Sequence, residues 1–290
     1  MSIPLDSECI QCHLRRNLET ARKLGNGEQA TAFARDLLKL YLAAPEDVSS
    51  PWLAPATSDL FRKHYGVPED RFREEKEISN RFVLERMEDI RARVEGAEDP
   101  LLAGLQFAIL GNYIDFSALQ GQVSFEQLEE LLNRAHEMTP VGDGFEALRA
   151  DLEKGRKLLY LTDNAGEIGF DRIFAEVIHR FYPQLEITFC VRGGPAMNDA
   201  LRADAELVGI PFPVIDNGNR VAGTQIDQLR REARAALEAA DVVIAKGQGN
   251  VETMYGCGYN VYYAFLVKCS RFVQVFGQPK LTPMLVRERA

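Results

Sequence analysis

The sequence lacks the features that mark exported and membrane proteins. Residues 1–8 show neither the basic nor the apolar region of a secretory signal. No uninterrupted run of about 18 apolar residues is present to span a bilayer. The most apolar stretch, residues 101–119, is interrupted by Gln106, Asn112 and Asp115. Only five cysteines occur in 290 residues, which is typical of reduced thiols. We therefore expect a cytoplasmic location and no membrane partner.

An excess of basic charge is also missing. The chain has 34 Lys and Arg against 43 Asp and Glu, for a formal net charge of -9. This balance excludes a general nucleic-acid binder, because binding to the phosphate backbone depends on basic residues. The hydrophobic content of 46% is that of a globular protein with a substantial core. Nothing in the sequence indicates the oligomeric state.

Strand patterns are absent before about residue 156. The first half instead shows apolar residues at helical spacing. The predicted helices cover residues 9–24, 29–42, 58–65, 71–94 and 125–135, and Pro100 opens another. The pattern predicts an all-helical domain in residues 1–150, with a seam at residues 139–151, where Pro140, Gly142 and Gly144 cluster.

The second half alternates between strand and helix patterns. Short apolar runs of strand type cover residues 157–162, 185–191, 213–216, 241–245 and 271–276, and helical patterns such as residues 225–239 lie between most of them. This alternation predicts right-handed βαβ units. We expect an α/β fold in residues 151–290, with a Rossmann-like, mainly parallel sheet flanked by helices.

The first predicted strand ends in Asp163 and Asn164. In an open α/β sheet, ligands bind at the carboxyl ends of the strands. One interpretation is a helix cap, because Asn164 and Glu167 have the spacing of a capping box. The other is a pair of oxygen ligands for Mg²⁺ or Mn²⁺. Both can hold together.

Two further loops follow strands in the same way. In the loop after residue 191, Asp199 offers another carboxylate, Arg192 can bind phosphate, and Asn198 can cap the next helix. The segment Lys246-Gly247-Gln248-Gly249-Asn250 offers a cation and glycines that permit close approach to a ligand. Lys268 follows the apolar residues 261–267 and is either a further cation for the site or a snorkelling lysine.

Polar residues also occur in the most apolar predicted helix. Asn112 and Asp115 are three residues apart and therefore share one helix face. Their partners are either structural or belong to the site, if this helix reaches over it.

The amino-terminal cysteines lack what would define a cofactor site. Residues 9–13, Cys-Ile-Gln-Cys-His, match the pattern for attachment of c-type haem. No export signal accompanies it, and no second CxxC completes a zinc site. We expect a helical turn with buried or redox-sensitive thiols at Cys9 and Cys12. Cys190, Cys257 and Cys269 are expected in the core.

The order and spacing of these segments closely resemble the damage-control phosphatases, a family long known as domain of unknown function 89. The matching segments are Gly111-Asn112-Tyr113-Ile114-Asp115, Thr162-Asp163-Asn164-Ala165-Gly166-Glu167, Arg192-Gly193-Gly194-Pro195 with Asn198-Asp199, Ala245-Lys246-Gly247-Gln248-Gly249-Asn250, and Lys268-Cys269. The resemblance covers nearly the whole chain. With its CxxC, the chain is similar to the stand-alone prokaryotic branch.

This resemblance implies a divalent-metal-dependent phosphatase acting on small phosphorylated metabolites, such as sugar phosphates. It implies that Asp163, Asn164 and Asp199 bind the metal, which would be Mn²⁺ or Mg²⁺, with Co²⁺ or Ni²⁺ as alternatives. It assigns substrate contacts to residues 246–250 and to Lys268. Gln248 stands where some relatives carry an acidic residue. We add Arg192, Asn198, Asn112 and Asp115 to the predicted substrate site, and Lys246 to the catalytic residues.

Alternatives of a different class stay open. A phosphometabolite-binding module without turnover would need the same loops. Carboxyl methyl transfer, proposed for some animal relatives, is disfavoured because the first loop lacks the G-x-G of a nucleotide pocket. Asp163 as the nucleophile is conceivable, but the second Asp of an Asp-x-Asp motif is missing. We therefore favour metal-activated water.

Overall fold

The computed structural model describes residues 2–114 and 124–288. In this part of the chain the helices are α1 (Ser7–Leu24), α2 (Gly27–Ala43), α3 (Ala54–Tyr65), α4 (Arg73–Leu84), α5 (Met87–Glu95), α6 (Pro100–Gly111), α7 (Phe125–Asn133), α8 (Gly144–Lys154), α9 (Glu167–Phe181), α10 (Arg202–Leu207), α11 (Arg231–Ala239), α12 (Gly247–Met254) and α13 (Ser270–Phe276). The strands are β1 (Lys157–Leu161), β2 (Glu186–Val191), β3 (Val214–Asp216), β4 (Val242–Lys246), β5 (Val261–Leu266) and β6 (Pro283–Glu288).

The six strands form one sheet in the order β3-β2-β1-β4-β5-β6. The first five run parallel, and β6 pairs antiparallel to β5 at the edge. Leu161, the last residue of β1, pairs with Cys190 of β2 and with Ala245 of β4. The three central strands therefore end at one level. The predicted α/β fold with a mainly parallel sheet is confirmed.

The two faces of the sheet carry separate hydrophobic cores. Leu158 and Tyr160 of β1 face a core shared with α4 to α9, whereas Leu159 and Leu161 face a core shared with α11 to α13. Because both faces are covered, the strands are apolar throughout rather than alternating. A smaller cluster around Phe33 holds α1, α2 and α3 together.

The prediction of a strand at residues 271–276 is wrong. These residues form α13, which buries Phe272 and ends at Gly277 in the left-handed conformation with φ 65°. A short apolar run does not distinguish a strand from a buried helix by periodicity alone. The strands at this end of the sheet are instead β5 and β6, and neither of them was predicted as a strand.

Two predicted helices are shorter or divided. The helix predicted at residues 71–94 is divided into α4 and α5 by a tight turn, in which the amide of Arg86 donates to the carbonyl of Val83 at 2.9 Å. Neither proline nor glycine marks this turn in the sequence. In the helix predicted at residues 225–239, only α11 is α-helical, and Ile226–Gln228 form a 3-10 turn.

The division into domains at residue 150 stays a prediction. The core on one face of the sheet includes Val83 and Leu105 together with Leu158 and Phe174, so it continues across residue 150. The first helices are attached by Arg220, whose guanidinium forms two 3.0 Å hydrogen bonds to the carboxylate of Asp59. Among the described residues, no helix is both long enough and apolar enough to cross a membrane.

Candidate active site

The central strand β1 lies where the chain order of the sheet reverses. Strands β2 and β3 extend from it in one direction, and β4 and β5 extend in the other. Helix α9 follows β1 and helix α12 follows β4, so both helices begin at the same edge. A crevice at such a switch point is where open α/β sheets bind ligands. Two helix N-termini there favour an anion.

Backbone hydrogen bonds bring the first two predicted loops together. The amide of Ala200 donates to the carbonyl of Asp163 at 2.7 Å, and the amide of Ala165 donates to the carbonyl of Asn198 at 2.9 Å. A β-bridge pairs Asn164 with Asp199 between them. The loop after β2 therefore folds back along the end of β1, and Asp163, Asn164 and Asp199 lie together as predicted.

A cleft of about 1070 Å³ opens onto these residues. Its sheet-side wall includes Asp163, Asn164, Asp199, Gly249 and Lys268. The facing wall includes side chains from α1, from residues 50–58 and from residues 67–75. The amino-terminal helices thus form half of the cleft.

Asn164 does not cap α9 with its side chain. Its Oδ1 accepts from Nδ2 of Asn198 at 2.9 Å, while its own Nδ2 donates to Asp163 Oδ2 and to Glu167 Oε2, both at 2.7 Å. Of the predicted capping box, one half is present, because Glu167 accepts from the Asn164 amide at 3.3 Å. The side chain of Asn164 is therefore held by the other site residues. Asn198 does not cap the next helix either, since α10 begins only at Arg202.

Arg192 lies behind the two carboxylates. Its side chain is 1% exposed. Nε donates to Asp199 Oδ2 at 2.6 Å, and Nη2 lies 3.7 Å from Asp163 Oδ1. Nη1 approaches Oδ1 of Asn250 at 3.4 Å. Arg192 is absent from the cleft wall, so in this structure it offsets the repulsion between the carboxylates instead of reaching outward to phosphate.

Lys246 points away from the cleft. Its ammonium group is fully buried and donates to Ala108 O at 2.8 Å, Glu167 Oε1 at 2.8 Å and Asp171 Oδ1 at 2.6 Å. An ammonium group has three protons, and all three are used. The placement of Lys246 among the catalytic and substrate-binding residues is therefore corrected to a buried ion-pair role. The cause is the strand alternation, which directs Lys246, like Ile244, to the face of α9.

One ammonium group serves two carboxylates in this cluster. Burial, together with the nearby charge of Glu167, raises the pKa of Asp171 to about 7, against the attraction of Lys246. The hydroxyl of Tyr160 donates to Asp171 Oδ1 at 2.8 Å, and burial raises the pKa of Tyr160 far above its usual value. The pKa of Lys246 is raised because the attraction of both acids outweighs its burial.

Asn112 reaches the site from behind Asp163. Its Nδ2 lies 3.0 Å from Asp163 Oδ2 and 3.0 Å from Glu167 Oε2, and its Oδ1 accepts the amide of Leu266 at 3.2 Å. This fits the expectation that the helix face points at the site, but the side chain is buried and its hydrogen bonds go to protein. Asp115 lies outside the described residues, and its role stays a prediction.

The glycine-rich turn after β4 carries residues with two different surroundings. Gln248 and Gly249 line the cleft, and Gln248 Oε1 accepts the amide of Lys268 at 2.6 Å. Asn250, predicted at the substrate, is buried and donates to Lys246 O at 2.6 Å and Thr162 O at 3.1 Å. Its side chain connects β1 to α12 rather than facing a ligand, because it lies one turn inside the helix.

Gly247 is required by the position of Asp163. Its φ of 74° lies in the left-handed region, and a Cβ there would come within 1.9 Å of Asp163 Oδ2. The sequence predicted that a glycine in this turn lets a ligand approach the backbone closely. In the structure, the group that approaches Gly247 is the carboxylate of Asp163.

The side chains at the cleft fit a divalent cation. Asp163 and Asp199 supply carboxylates and Asn164 supplies an amide oxygen, which are ligands that Mg²⁺ and Mn²⁺ accept. Next to them, Asn198 Oδ1 is buried and has no hydrogen-bond partner within the described ranges. No group of three His, Cys, Asp or Glu side chains in residues 2–114 and 124–288 is arranged to hold a metal. An ion held by Asp163, Asn164 and Asp199 would be bound by an amide oxygen as well as by carboxylates.

The amino-terminal cysteines lie closer to this site than their position in the sequence suggests. Cys9 and Cys12 are free thiols on α1, and both line the cleft. Burial raises the pKa of Cys9 to about 12, which keeps it protonated at neutral pH. Cys190 is buried as expected, whereas Cys257 and Cys269 are half-buried beside the core.

Two acidic residues support the site in a way that was not predicted: Asp171 was not singled out, and Glu167 was predicted only as part of a capping box. Glu167 bonds to Asn112, Asn164 and Lys246, and Asp171 lies one turn further along α9. The available signal was two acids at i and i+4 among the apolar residues Ile168, Phe170 and Phe174. Acidic side chains on a buried helix face need hydrogen-bond or ion-pair partners inside the protein.

Sequence comparisons relate this chain to known proteins. A sequence model described as "Damage-control phosphatase ARMT1-like domain" matches residues 5–282. A damage-control phosphatase of Archaeoglobus fulgidus is 32% identical over 276 residues, covering 93% of this chain and 94% of the relative. An uncharacterized protein of Methanocaldococcus jannaschii is 28% identical over 291 residues, covering 95% and 93%.

A solved structure extends the similarity to three dimensions. The crystal structure of a DUF89 family protein from Pyrococcus horikoshii superposes with a TM-score of 0.82 at 28% identity, covering 99% of each chain. The match of the family model over nearly the whole chain shows that this protein belongs to the damage-control phosphatase ARMT1-like family.

Proposed function

We propose that this protein is a divalent-metal-dependent phosphatase that hydrolyses small phosphorylated metabolites. The observation that carries the proposal is the meeting of Asp163, Asn164 and Asp199 in one cleft wall, beside the first turns of α9 and α12. Membership of the family and a relative that is named a damage-control phosphatase support hydrolysis of phosphate esters.

The metal would be held by Asp163, Asn164 and Asp199. When bound, it would supply Lewis-acid activation of the phosphate and a lowered pKa for water. Mn²⁺ or Mg²⁺ suits the oxygen ligands best, with Co²⁺ or Ni²⁺ as alternatives.

The protein's own groups prepare the cleft for a phosphate group. The dipoles of α9 and α12 direct positive potential at the cleft. Lys268 adds an ammonium group to the cleft wall, where it can offset charge on the phosphate oxygens. Glu167 orients the Asn164 amide at 2.7 Å, which holds the amide oxygen in place. Asn112 and Asn164 both donate to Asp163 Oδ2, and these two hydrogen bonds fix the orientation of the carboxylate at the cleft.

Water is the nucleophile that we favour. Asp163 accepts two amide N–H bonds on Oδ2, lies 3.7 Å from the Arg192 guanidinium on Oδ1, and is confined by Gly247. A carboxylate fixed in this way is well suited to stay in one position as a ligand, whereas a nucleophile must move towards phosphorus. An aspartyl-phosphate trapped on Asp163 during turnover would overturn this part of the proposal.

The function is tested with a panel of phosphomonoesters, each assayed with every candidate metal. We expect metal-stimulated phosphate release from some of them, and none from the Asp163→Asn variant. Asp216→Asn is the matched control, because Asp216 forms surface ion pairs with Arg230 and Arg202 and does not line the cleft. Metal-stimulated binding of phosphometabolites without release would instead identify a binding module.

A further inference from the structure

The cleft wall that faces Asp163 carries three arginines, of which Arg16 and Arg71 are partly buried and Arg15 is exposed. Arg16 lies on α1, and Arg71 lies two residues before α4; both line the cleft. Within residues 2–114 and 124–288, neither guanidinium forms an ion pair with a carboxylate or a hydrogen bond to another residue, and Arg71 Nε is buried without a partner. A buried donor without an acceptor is unfavourable, so this wall has an unused capacity to bind an anion.

Aromatic rings hold Arg71 in place. Its guanidinium carbon lies 4.1 Å from the ring centroid of Phe61 and 4.9 Å from that of Phe72. Stacking of this kind fixes the plane of a guanidinium and leaves its edge free for a planar or tetrahedral oxyanion. Phe61 is itself completely buried in the cluster of α1, α2 and α3, so the support is rigid.

The positive charges of Arg16 and Arg71 repel each other at this wall. Burial and the charge of the neighbouring Arg16 lower the pKa of Arg71 to about 10, against the attraction of Glu75, which forms no ion pair with it. Burial, with the charges of Arg16 and Arg71, lowers the pKa of His13 to about 3, so the imidazole is neutral. Two like charges close together, with a neutral neighbour, are stabilised by an anion between them.

We propose that Arg16 and Arg71 form a second anion-binding subsite, and that the substrate carries a second oxyanion, a carboxylate or another phosphate, at the end opposite the scissile phosphate. This inference rests on the proposed function, which identifies the group at the other end of the substrate as the scissile phosphate. A cleft of about 1070 Å³ is at the upper end of the range for small-molecule sites. It therefore has room for a molecule that reaches both walls.

The test uses pairs of probes that differ only at one end. Alkyl phosphates of increasing chain length are compared when they end in a hydroxyl, a carboxylate or a second phosphate. For the wild type with Mn²⁺, we expect kcat/KM at the best length to be about 10- to 100-fold higher for an anionic end than for the hydroxyl, as one charge-assisted contact provides. The preferred anion distinguishes a carboxylate from a phosphate.

Arg71→Met and Arg16→Gln should each reduce this ratio to near one. Arg16→Gln leaves the stacking of Arg71 on Phe61 intact, so it tests the charge if Arg71→Met folds poorly. Arg15→Met is the control, because Arg15 is exposed on the same helix, also lines the cleft, and should retain the ratio. A wild-type ratio near one at every length, or a ratio unchanged in both variants, would overturn the proposal.

Calorimetry separates this proposal from the proposed function. If no probe releases phosphate, the function has failed, and the subsite is then measured by binding of the carboxyalkyl phosphates. Tighter binding of the carboxylate than of the hydroxyl probe, lost in Arg16→Gln, would still support the subsite. Equal binding of both probes to the wild type would refute it.

Discussion

Replacing Lys246 by Met tests whether the residue stabilises the fold or binds the substrate. All three ammonium protons are donated inside the protein, to Glu167, Asp171 and Ala108 O. Removing the ammonium group leaves two buried carboxylates without their shared partner. Breaking a buried ion pair in this way costs about 3–5 kcal/mol, out of a total stability of roughly 5–15 kcal/mol. We therefore expect the midpoint of thermal unfolding to fall by roughly 6–20 °C.

The loss should depend on pH and on Asp171. Because the pKa of Asp171 is already raised to about 7, this carboxyl can take up a proton when Lys246 is gone. The Lys246→Met variant should therefore lose less stability at pH 6 than at pH 8. The double variant with Asp171→Asn should recover part of the loss at pH 8, as expected for two residues in contact.

The assay is equilibrium unfolding at both pH values, with phosphate release measured on the same samples. Lys280→Met is the control, because Lys280 is an exposed lysine at the rim of the cleft; a change within about 0.5 kcal/mol is expected there. If Lys246→Met unfolds at the wild-type midpoint but releases no phosphate, Lys246 contacts substrate and the buried role is wrong.

Further predictions concern neighbouring groups. The pKa of Asp171 is about 3.9 in the unfolded state and about 7 in the folded state, so between these pH values the folded state binds more protons. Asp171 therefore lowers the free energy of unfolding as pH rises through that range. Asp171→Asn should flatten the dependence of stability on pH, and an unchanged slope would contradict this. Gly247→Ala should abolish turnover by displacing Asp163, whereas Gly258→Ala, with a similar φ of 78° and open space, should cost only stability; equal turnover in the two variants would exclude the steric cause. Asn112→Ala should reduce turnover and should also lower the free energy of unfolding by about 1–3 kcal/mol. Loss of stability without loss of turnover would show that Asn112 has only a structural role.

The positions of the loops could be predicted from the sequence because parallel strands end at one edge. Asp163, Asp199 and Gly249 follow different strands, and the strand order places them around one cleft. Only the end of each strand had to be recognised, which an abrupt change from apolar to polar residues marks clearly.

The directions in which individual side chains point were harder to predict from the sequence. Arg192, Lys246 and Asn250 are polar residues in the correct loops, yet all three are buried behind the cleft. Their direction depends on which sheet face each helix covers, and this is decided by residues far away in the sequence, such as Ala108 on α6. Side chains two residues apart on a strand point to the same face of the sheet. The direction of Lys246 would therefore have been predicted correctly if Ile244 had been known to face α9.

The helical half was the hardest to place. Apolar periodicity identifies each helix but not the surface against which it packs. That α1 forms a wall of the cleft follows from contacts such as the 2.9 Å hydrogen bond from Ile3 N to Glu252 O and the ion pair between Asp6 and Arg271 at 3.1 Å. No local pattern encodes these contacts, so the position of Cys9 and Cys12 at the cleft could not be predicted from the sequence.

The central claim is that turnover depends on a divalent ion held by Asp163, Asn164 and Asp199. The most direct test is phosphate release by protein from which all metal has been removed and verified to be absent, titrated with Mn²⁺ in the wild type and in Asp199→Asn. We predict no release before Mn²⁺ is added, saturable recovery in the wild type, and a much higher Mn²⁺ requirement in the variant. Full release by the verified metal-free wild type would contradict the claim.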